Sequence, residues 1–539
     1  MAGCTDFYLR ESDFTMLNKQ NNPGINLDGP VVLISRDITY VFPFAYAYLV
    51  SYLKQQGETN VKILFRPSWG GLDKFVKEIM ELKPLVVGFG SLYPELKIIS
   101  ELIEKLDKAG RRFPVVIGGQ MVSPIPEFAL KITKADIGII GEGEITLFKL
   151  VKALREGNNL YNIRGLAIRE KDNVAITGPG EFIDDLSLLP KVSYELFPEE
   201  KWLPIGRYYA NKAQPHWRFN DRVLPIHGGR GCPFNCNFCY HHSKFRYRSI
   251  NSMIEEAREG IERFNANMLY FADDLAIFNP QRAEELVGAL NGIKKPVEYS
   301  ISLRFDVLER INDDLLKELR RSGCRIMGLG IESGSQRILN LMEKKISLEQ
   351  VKSGLRRLKD TGILPTVSIM VGQPSETIED VQASIKLMQE TTRDNKNIQY
   401  TFTIATPFPG SPLYSLALEK NYISSDQDFY NKYSFKRGKS FQLVVNFSGM
   451  DDKKLLSMHK KIGRIYRKIK REELGVKVVL IESLRGLLYC GNYALQEFIA
   501  PVLAKRLFIK PLKKIYCSAY RFMQQRLDNW RLFLRGITV

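Results

Sequence analysis

The sequence predicts an α/β protein with an N-terminal doubly wound, Rossmann-like domain, a central partial α/β barrel of six β/α units, and an α-rich C-terminal region. Three observations predict it. Five short β-rich runs alternate with amphipathic stretches from Val31 onward, and six more do so from Val223. After Pro412 the apolar positions recur at helical spacing with basic residues between them.

In the first series the runs VVLIS (31–35), VKILF (61–65), LVVGF (85–89), PVVIG (114–118) and DIGII (136–140) are separated by amphipathic segments such as 95–109. That alternation predicts a parallel, doubly wound sheet. Ligands of such sheets bind outside the carboxyl ends of the strands, which directs attention to 91–94, 118–120 and 141–144. Residues 160–220 carry Pro179, Pro190, Pro198, Pro204 and Pro215 and read as a linker with a few short elements. The second series is VLPIHG (223–228), MLYFA (268–272), VEYSIS (297–302), RIMGLGIE (325–332), PTVSIMVG (365–372) and IQYTFTIAT (398–406). Six such units predict a barrel whose working face lies at the strands' C-terminal ends. The expected domains are 1–185, 186–425 and 426–539.

The length of 539 residues asks for several domains at the usual ~100–200 residues each. A 44% hydrophobic and 26% charged composition is that of folded globular chains. No basic, apolar and small-residue leader opens the sequence, and no apolar run approaches the ~18 residues of a membrane span. Three of the seven cysteines fall within eight residues, too tight for a disulfide framework, so a reducing cytoplasm is expected. The net charge of +18 is concentrated late, with 20 Lys/Arg against 7 Asp/Glu in residues 451–539.

Cys232, Cys236 and Cys239, in C-P-F-N-C-N-F-C, follow the first barrel strand directly, at the loop where barrel enzymes place their chemistry. Three thiolates suit a 4Fe–4S cluster with one iron left open, whereas a zinc site would need His241, His242 or His227 as fourth ligand. Zinc sites usually carry two separated C-x-x-C halves, and no second half exists here. Cys4, Cys324, Cys490 and Cys517 are widely spaced and read as small buried hydrophobes.

The spacing C-x-x-x-C-x-x-C, with Phe238 before the last cysteine, resembles the signature of the radical S-adenosylmethionine (SAM) superfamily. Further pieces are similar to the branch of that superfamily with a cobalamin-binding domain: F-A-D-D (271–274), S-L-R-F-D (302–306), G-I-E-S-G (330–334), V-G-Q-P-S-E (371–376) and T-P-F-P-G-S-P-L-Y (406–414). The resemblance implies that the cluster's open iron chelates SAM and that an electron cleaves SAM to a 5′-deoxyadenosyl radical. It also implies that Asp273 or Asp274, Ser302, Arg304 and Glu332 hold the ribose and methionine ends. Ribose hydroxyls suit a carboxylate, and the methionyl carboxylate suits a guanidinium fork. Gly372 reads either as an adenine contact or as a turn, and Tyr240 either as a pocket wall or as packing.

A doubly wound sheet alone binds a flavin, a nucleotide, cobalamin or nothing. With the barrel behind it, the domain carrying Ser91, Leu92, Tyr93, then Gly118, Gly119, Gln120, then Gly141, Glu142, Gly143, Glu144 resembles the family's cobalamin domain, its glycines admitting the corrin to the backbone. The D-x-H-x-x-G motif is absent and the first histidine is His216, so the expected cobalamin has no protein histidine ligand, with Ser91, Leu92, Tyr93 or Gln120 near its lower face.

The resemblance therefore implies hydrogen abstraction from an unactivated carbon of a small or lipid-like substrate, followed by methyl transfer from methylcobalamin. Alternatives are a radical cyclase of the same superfamily and a non-enzymatic cluster or cobalamin sensor. A reductant such as flavodoxin or ferredoxin is expected as partner. The segment 476–539 mixes apolar runs with Lys505, Arg506, Lys510, Lys513 and Lys514, which reads as a helical cap with a basic face or as a peripheral contact to the inner membrane face. No RNA-binding signature accompanies this charge, so nucleic acid is not an expected partner.

Overall fold

The computed structural model describes residues 26–36, 42–67, 71–171, 173–204, 206, 216–218, 220–240, 243–433, 442–470 and 472. The chain divides into one compact unit of residues 1–205 and 221–466 and a second of 206–220 and 467–539. Nearly all of the second lies outside the described residues, and with it the expectations placed on the basic tail and on Cys490 and Cys517; Cys4, His241 and His242 lie outside as well. Among the described residues no helix is long and apolar enough to cross a membrane.

The first sheet contains β1 (Val31–Arg36), β2 (Val61–Arg66), β3 (Val86–Gly90), β4 (Val115–Gly118), β5 (Ile137–Ile139), β6 (Leu166–Arg169) and β7 (Val174–Ile176) in the order β2-β1-β3-β4-β5-β6-β7. The five predicted runs pair in parallel, and β6 and β7 add antiparallel to β5. These last two strands sit where the sequence reads as a linker. Each is four residues or fewer, too short to show a period of two. The order reverses between β1 and β3, which opens a ligand crevice at their carboxyl ends. Both faces of this sheet are covered, so its central strands are continuous apolar runs: Val31, Val32, Val87, Val115 and Ile117 are all buried.

The second sheet is wholly parallel: β8 (Val223–Ile226), β11 (Met268–Phe271), β12 (Glu298–Leu303), β13 (Cys324–Glu332), β14 (Leu364–Val371) and β15 (Gln399–Ile404), in the order β15-β14-β13-β12-β11-β8. A helix follows each of the first five, so this is an open barrel of six units. Between β8 and β11 lies a short antiparallel ribbon of β9 (Gly229–Arg230) and β10 (Arg246–Tyr247). Helical residues 452–466 cover the free edge of β15, where the Tyr466 hydroxyl accepts from the Tyr400 N–H at 3.2 Å and donates to the Ile398 carbonyl at 3.1 Å. Cys324 is fully buried at the start of β13.

At two glycines of the barrel an added side chain would force its neighbours to shift. A methyl group on Gly334, after β13, would stand 2.5 Å from the Ser384 Cα and 2.7 Å from the Ala383 carbonyl, and backbone cannot yield as a side-chain tip can. On Gly260 it would stand 2.5 Å from Leu224 of β8. Gly334→Ala is expected to lower unfolding stability by about 1–3 kcal/mol, the cost of overpacking. Denaturant titration checks this, with Gly288→Ala, where nothing lies within 4 Å, as the tolerated control.

Candidate active site

The barrel's cluster loop begins where β8 ends. The Gly228 and Gly229 N–H groups donate to Asp273 Oδ1 at 2.6 and 2.8 Å, and Asp273 is buried just beyond β11. A Cβ at Gly228 would lie 2.4 Å from the tip of Met253 and at Gly231 2.4 Å from the Ser243 carbonyl, and Gly231 has φ +72°. The ribbon closes the loop at its base by pairing Arg230 with Arg246 and Tyr247 with Gly229.

Within the loop Cys232, Cys236 and Cys239 border one cavity of about 630 Å³. The loop is held from below: the Asn237 N–H donates to the Met342 carbonyl at 3.1 Å, the Asn237 side chain to the Leu341 carbonyl at 2.7 Å, and the Asn237 carbonyl accepts from the Leu413 N–H at 3.0 Å. Burial pushes the Cys232 thiol up and the Cys239 thiol up to about 12, so a metal must displace their protons as it binds. Among the described residues no three His, Cys, Asp or Glu side chains gather around a single ion. A cuboid cluster instead takes each thiolate on a different iron, and three thiols around one cavity fit that group. His227, one of the three histidines a zinc site could have taken as fourth ligand, has its ring 5.2 Å from that of Phe44.

Besides the cysteines the cavity is lined by Phe234, Phe238, Tyr240, Asp274, Ser302, Arg304, Glu332 and Lys344, and by Ser368 and Thr401 of β14 and β15. The pair of adjacent aspartates divides: Asp274 lines the cavity, while Asp273 holds the loop backbone. The Ser302 hydroxyl donates to the Asp273 carbonyl at 2.9 Å. Arg304 stacks over Phe234 at 3.7 Å, bonds Asp306 at 2.9 Å, donates to the Lys344 carbonyl, and stands 3.6 Å from Cys236 Sγ. Its fork is thus occupied by the protein.

Glu332 is aimed by a bulge. The register of β13 on β14 shifts between Gly330 and Glu332, and Glu332 takes φ +74°, a strained value for a residue with a Cβ. Its carboxylate accepts from Ser368 at 2.9 Å and faces Lys344 Nζ at 3.4 Å. Lys344 is buried, lies 5.7 Å from the Phe238 ring centre, and is flanked by Glu343 and Lys345 at φ +54° and +51°. Sequence reasoning missed it, since two adjacent lysines in a polar loop carry no periodic signal. Tyr240 borders the cavity and lies against Gly410, where a Cβ would meet its ring at 2.3 Å.

Gly372 does not line this cavity; it turns the chain after β14 at φ +90°, and its N–H donates to the buried Glu376 at 2.5 Å.

A second cavity, of about 440 Å³, lies over the carboxyl ends of β1, β3, β4 and β5. Ser91, Leu92, Gly118, Gly119, Gln120 and Gly141 to Glu144 line it, with apolar residues such as Leu33, Ile117 and Leu147 beneath. At Gly141, φ +84°, a Cβ would meet nothing within 4 Å, and at Gly119 it would strike the Ser91 carbonyl at 2.8 Å. Bare backbone over an apolar floor fits a broad macrocycle with an organic tail. Leu92 and Gln120 line both cavities.

Two expectations change here. Tyr93 does not line this cavity but is buried among Phe408, Phe429 and Tyr433, because the short 3₁₀ turn Tyr93–Glu95 rotates it inward. Glu142 and Glu144 have carboxylates engaged by the cluster loop: Arg230 meets Glu142 at 2.7 Å and Glu144 at 2.5 Å, and Arg246 and Ser243 also bond Glu142. Burial alone pushes the Glu142 carboxyl up, but these arginines outweigh it and hold it below the usual range. His227 lines this cavity from the barrel side.

The Radical SAM superfamily profile matches residues 226–388, and the B12 binding domain profile matches residues 31–151. An uncharacterized methyltransferase of Pyrococcus horikoshii is 28% identical over 392 residues, 71% of this chain and 79% of its own length. The anaerobic magnesium-protoporphyrin IX monomethyl ester cyclase of Rubrivivax gelatinosus is 25% identical over 404 residues, 73% and 68% of the two chains. The radical S-adenosylmethionine methyltransferase TsrM of Kitasatospora setae, solved with cobalamin and a [4Fe-4S] cluster, superposes with a TM-score of 0.56 at 18% identity, covering 73% of this chain and 75% of that one.

Burial pushes the Asp273 carboxyl up to about 6, against which the Gly228 and Gly229 N–H groups pull only partly. A raised acid favours the folded state only while it is protonated. Its stabilising contribution is therefore full below the unfolded value near 3.8 and is lost as pH rises through about 6. The stability of the wild type minus that of Asp273→Asn should fall by on the order of 3 kcal/mol across this window. Denaturant unfolding of the cluster-free protein at several pH values checks it, and a constant difference would show that Asp273 does not titrate there.

Proposed function

From the premise that the chain belongs to the radical SAM superfamily, in the group that carries a B12-binding domain, we propose a division of labour among its residues for methylation of an unactivated carbon. The observation that carries it is the sharing of Leu92 and Gln120 by the cysteine-lined and the glycine-lined cavities. When bound, the 4Fe–4S cluster supplies the electron that cleaves SAM to a 5′-deoxyadenosyl radical, and methylcobalamin supplies the methyl group.

Cys232, Cys236 and Cys239 are the residues that would hold three irons of a cluster, which would leave the fourth to the amino-acid end of SAM. Glu332 receives the SAM ammonium and Lys344 its carboxylate, so the present ion pair opens around a zwitterion of matching charge. Asp274 accepts from the ribose hydroxyls. Arg304 is a positioning residue that steadies Cys236 and the Lys344 carbonyl. Asp273 fixes the departure of the loop from β8. Phe234, Phe238 and Tyr240 exclude water from the cavity, which protects a radical that would otherwise be quenched. Gly118, Gly119, Gly141 and Gly143 admit the corrin to the backbone, with Ser91, Leu92 and Gln120 at its face.

No protein histidine ligates the cobalt in this reading. No histidine precedes His216, and the His227 ring is packed on Phe44 and Tyr48 at 5.2 and 5.8 Å. The substrate is a small molecule, and a one-electron donor such as flavodoxin or ferredoxin serves the cluster.

Anaerobic reconstitution should give about four irons and one cobalt per chain, and reductant with SAM should yield 5′-deoxyadenosine from the SAM that is reductively cleaved and S-adenosylhomocysteine from a second SAM that gives up its methyl group. Deoxyadenosine without homocysteine would favour the cyclase chemistry of the Rubrivivax relative, and failure to cleave SAM would leave a sensor. Lys344→Ala should weaken SAM binding at least about tenfold, or 1.4 kcal/mol, with iron content unchanged, as measured by equilibrium dialysis. Cobalt(II) in the protein should show no change in nitrogen hyperfine splitting on labelling histidine with ¹⁵N; a changed splitting would establish a histidine ligand.

A further inference from the structure

The two cavities are joined by a charged bridge as well as by two shared wall residues. Arg230 and Arg246 are the paired residues of the ribbon that closes the cluster loop, and both guanidinium groups reach Glu142. The Ser243 hydroxyl, from the far end of the same loop, donates to Glu142 too. Glu142 itself lies between Gly141 and Gly143, on the rim of the glycine-lined cavity. Both arginines have a second anchor, Arg230 on Glu144 at 2.5 Å and Arg246 on the Ile183 carbonyl at 2.5 Å.

The side chains of Arg230, Glu142, Arg246 and Glu144 are only 5–10% exposed. Separating any pair would leave a charge in a poorly solvated place, so displacement of one moves the others. Beside Gly141 a Cβ would meet nothing within 4 Å, whereas Gly231, which directly precedes Cys232, is packed so closely that a Cβ would stand 2.4 Å from the Ser243 carbonyl.

We propose that Glu142, through Arg230 and Arg246, is a positioning residue that couples the glycine-lined cavity to the cluster loop, so that the protein's affinity for cobalamin depends on whether the cluster is in place. The inference rests on the reading above that the two cavities hold cobalamin and a 4Fe–4S cluster. Thermodynamic linkage makes the effect reciprocal: bound cobalamin stabilises the cluster by the same factor.

The test is titration of hydroxocobalamin, followed by absorbance, into full-length protein with and without its cluster. The wild type should bind about 5-fold or more tightly with the cluster in place, the lower end of usual coupling between sites. In Glu142→Gln this ratio should fall below about 2-fold, and in Arg246→Lys it should be intermediate. A purely structural defect would weaken both affinities alike and leave the ratio intact. A wild-type ratio near one, or an unchanged ratio in Glu142→Gln, overturns the inference while leaving the proposed function standing. Absence of cobalamin binding in both forms overturns the two together.

Discussion

The loop from Gly231 to Phe245 must leave a barrel strand, present three thiols to one cavity, and return, and among its described residues no helix or strand holds it. A single buried carboxylate begins the solution. Asp273 accepts both N–H groups of Gly228 and Gly229, so the departure of the backbone from β8 is fixed by two hydrogen bonds to one side chain. The ribbon then shuts the loop at its base, and Asn237 ties its middle to the segment that carries Lys344. Arg304, Phe234 and Lys344 depend on this frame, because they are placed by contacts to the loop and to one another.

Charge is handled differently on the two sides of the loop. Toward the first domain, Glu142 and Glu144 are matched by Arg230 and Arg246 with little exposure, an arrangement that orders the loop more than it stabilises the fold. Toward the barrel, Glu332 and Lys344 face each other at 3.4 Å, a looser pairing, on a backbone that already bears a positive φ. A tight pair costs more to open than a loose one, so the first suits a joint and the second suits a ligand site.

Much of the architecture was legible because it rests on local pattern. Eleven β-rich runs are apolar and β-branched, and each became a strand of a parallel sheet. The cysteine spacing was legible for a similar reason, since three thiols within eight residues have few structural uses. By contrast β6 and β7 are too short to carry a pattern, and Tyr93 was misread because a half-turn after β3 decides which way it points. Glu142 and Glu144 lie on the expected rim, yet their partners stand 86 to 104 residues away in sequence.

The sequence alone determined the fold class, the strand ends that border the two cavities, and the three thiols, because periodicity and cysteine spacing are properties of neighbours along the chain. Only the tertiary structure decided which aspartate faces the cavity, that Arg304 is occupied, that Gly372 turns the chain, and that Lys344 answers Glu332. Those choices depend on distances between segments far apart in sequence, and such distances exist only once two sheets have packed and a bulge has re-aimed one side chain.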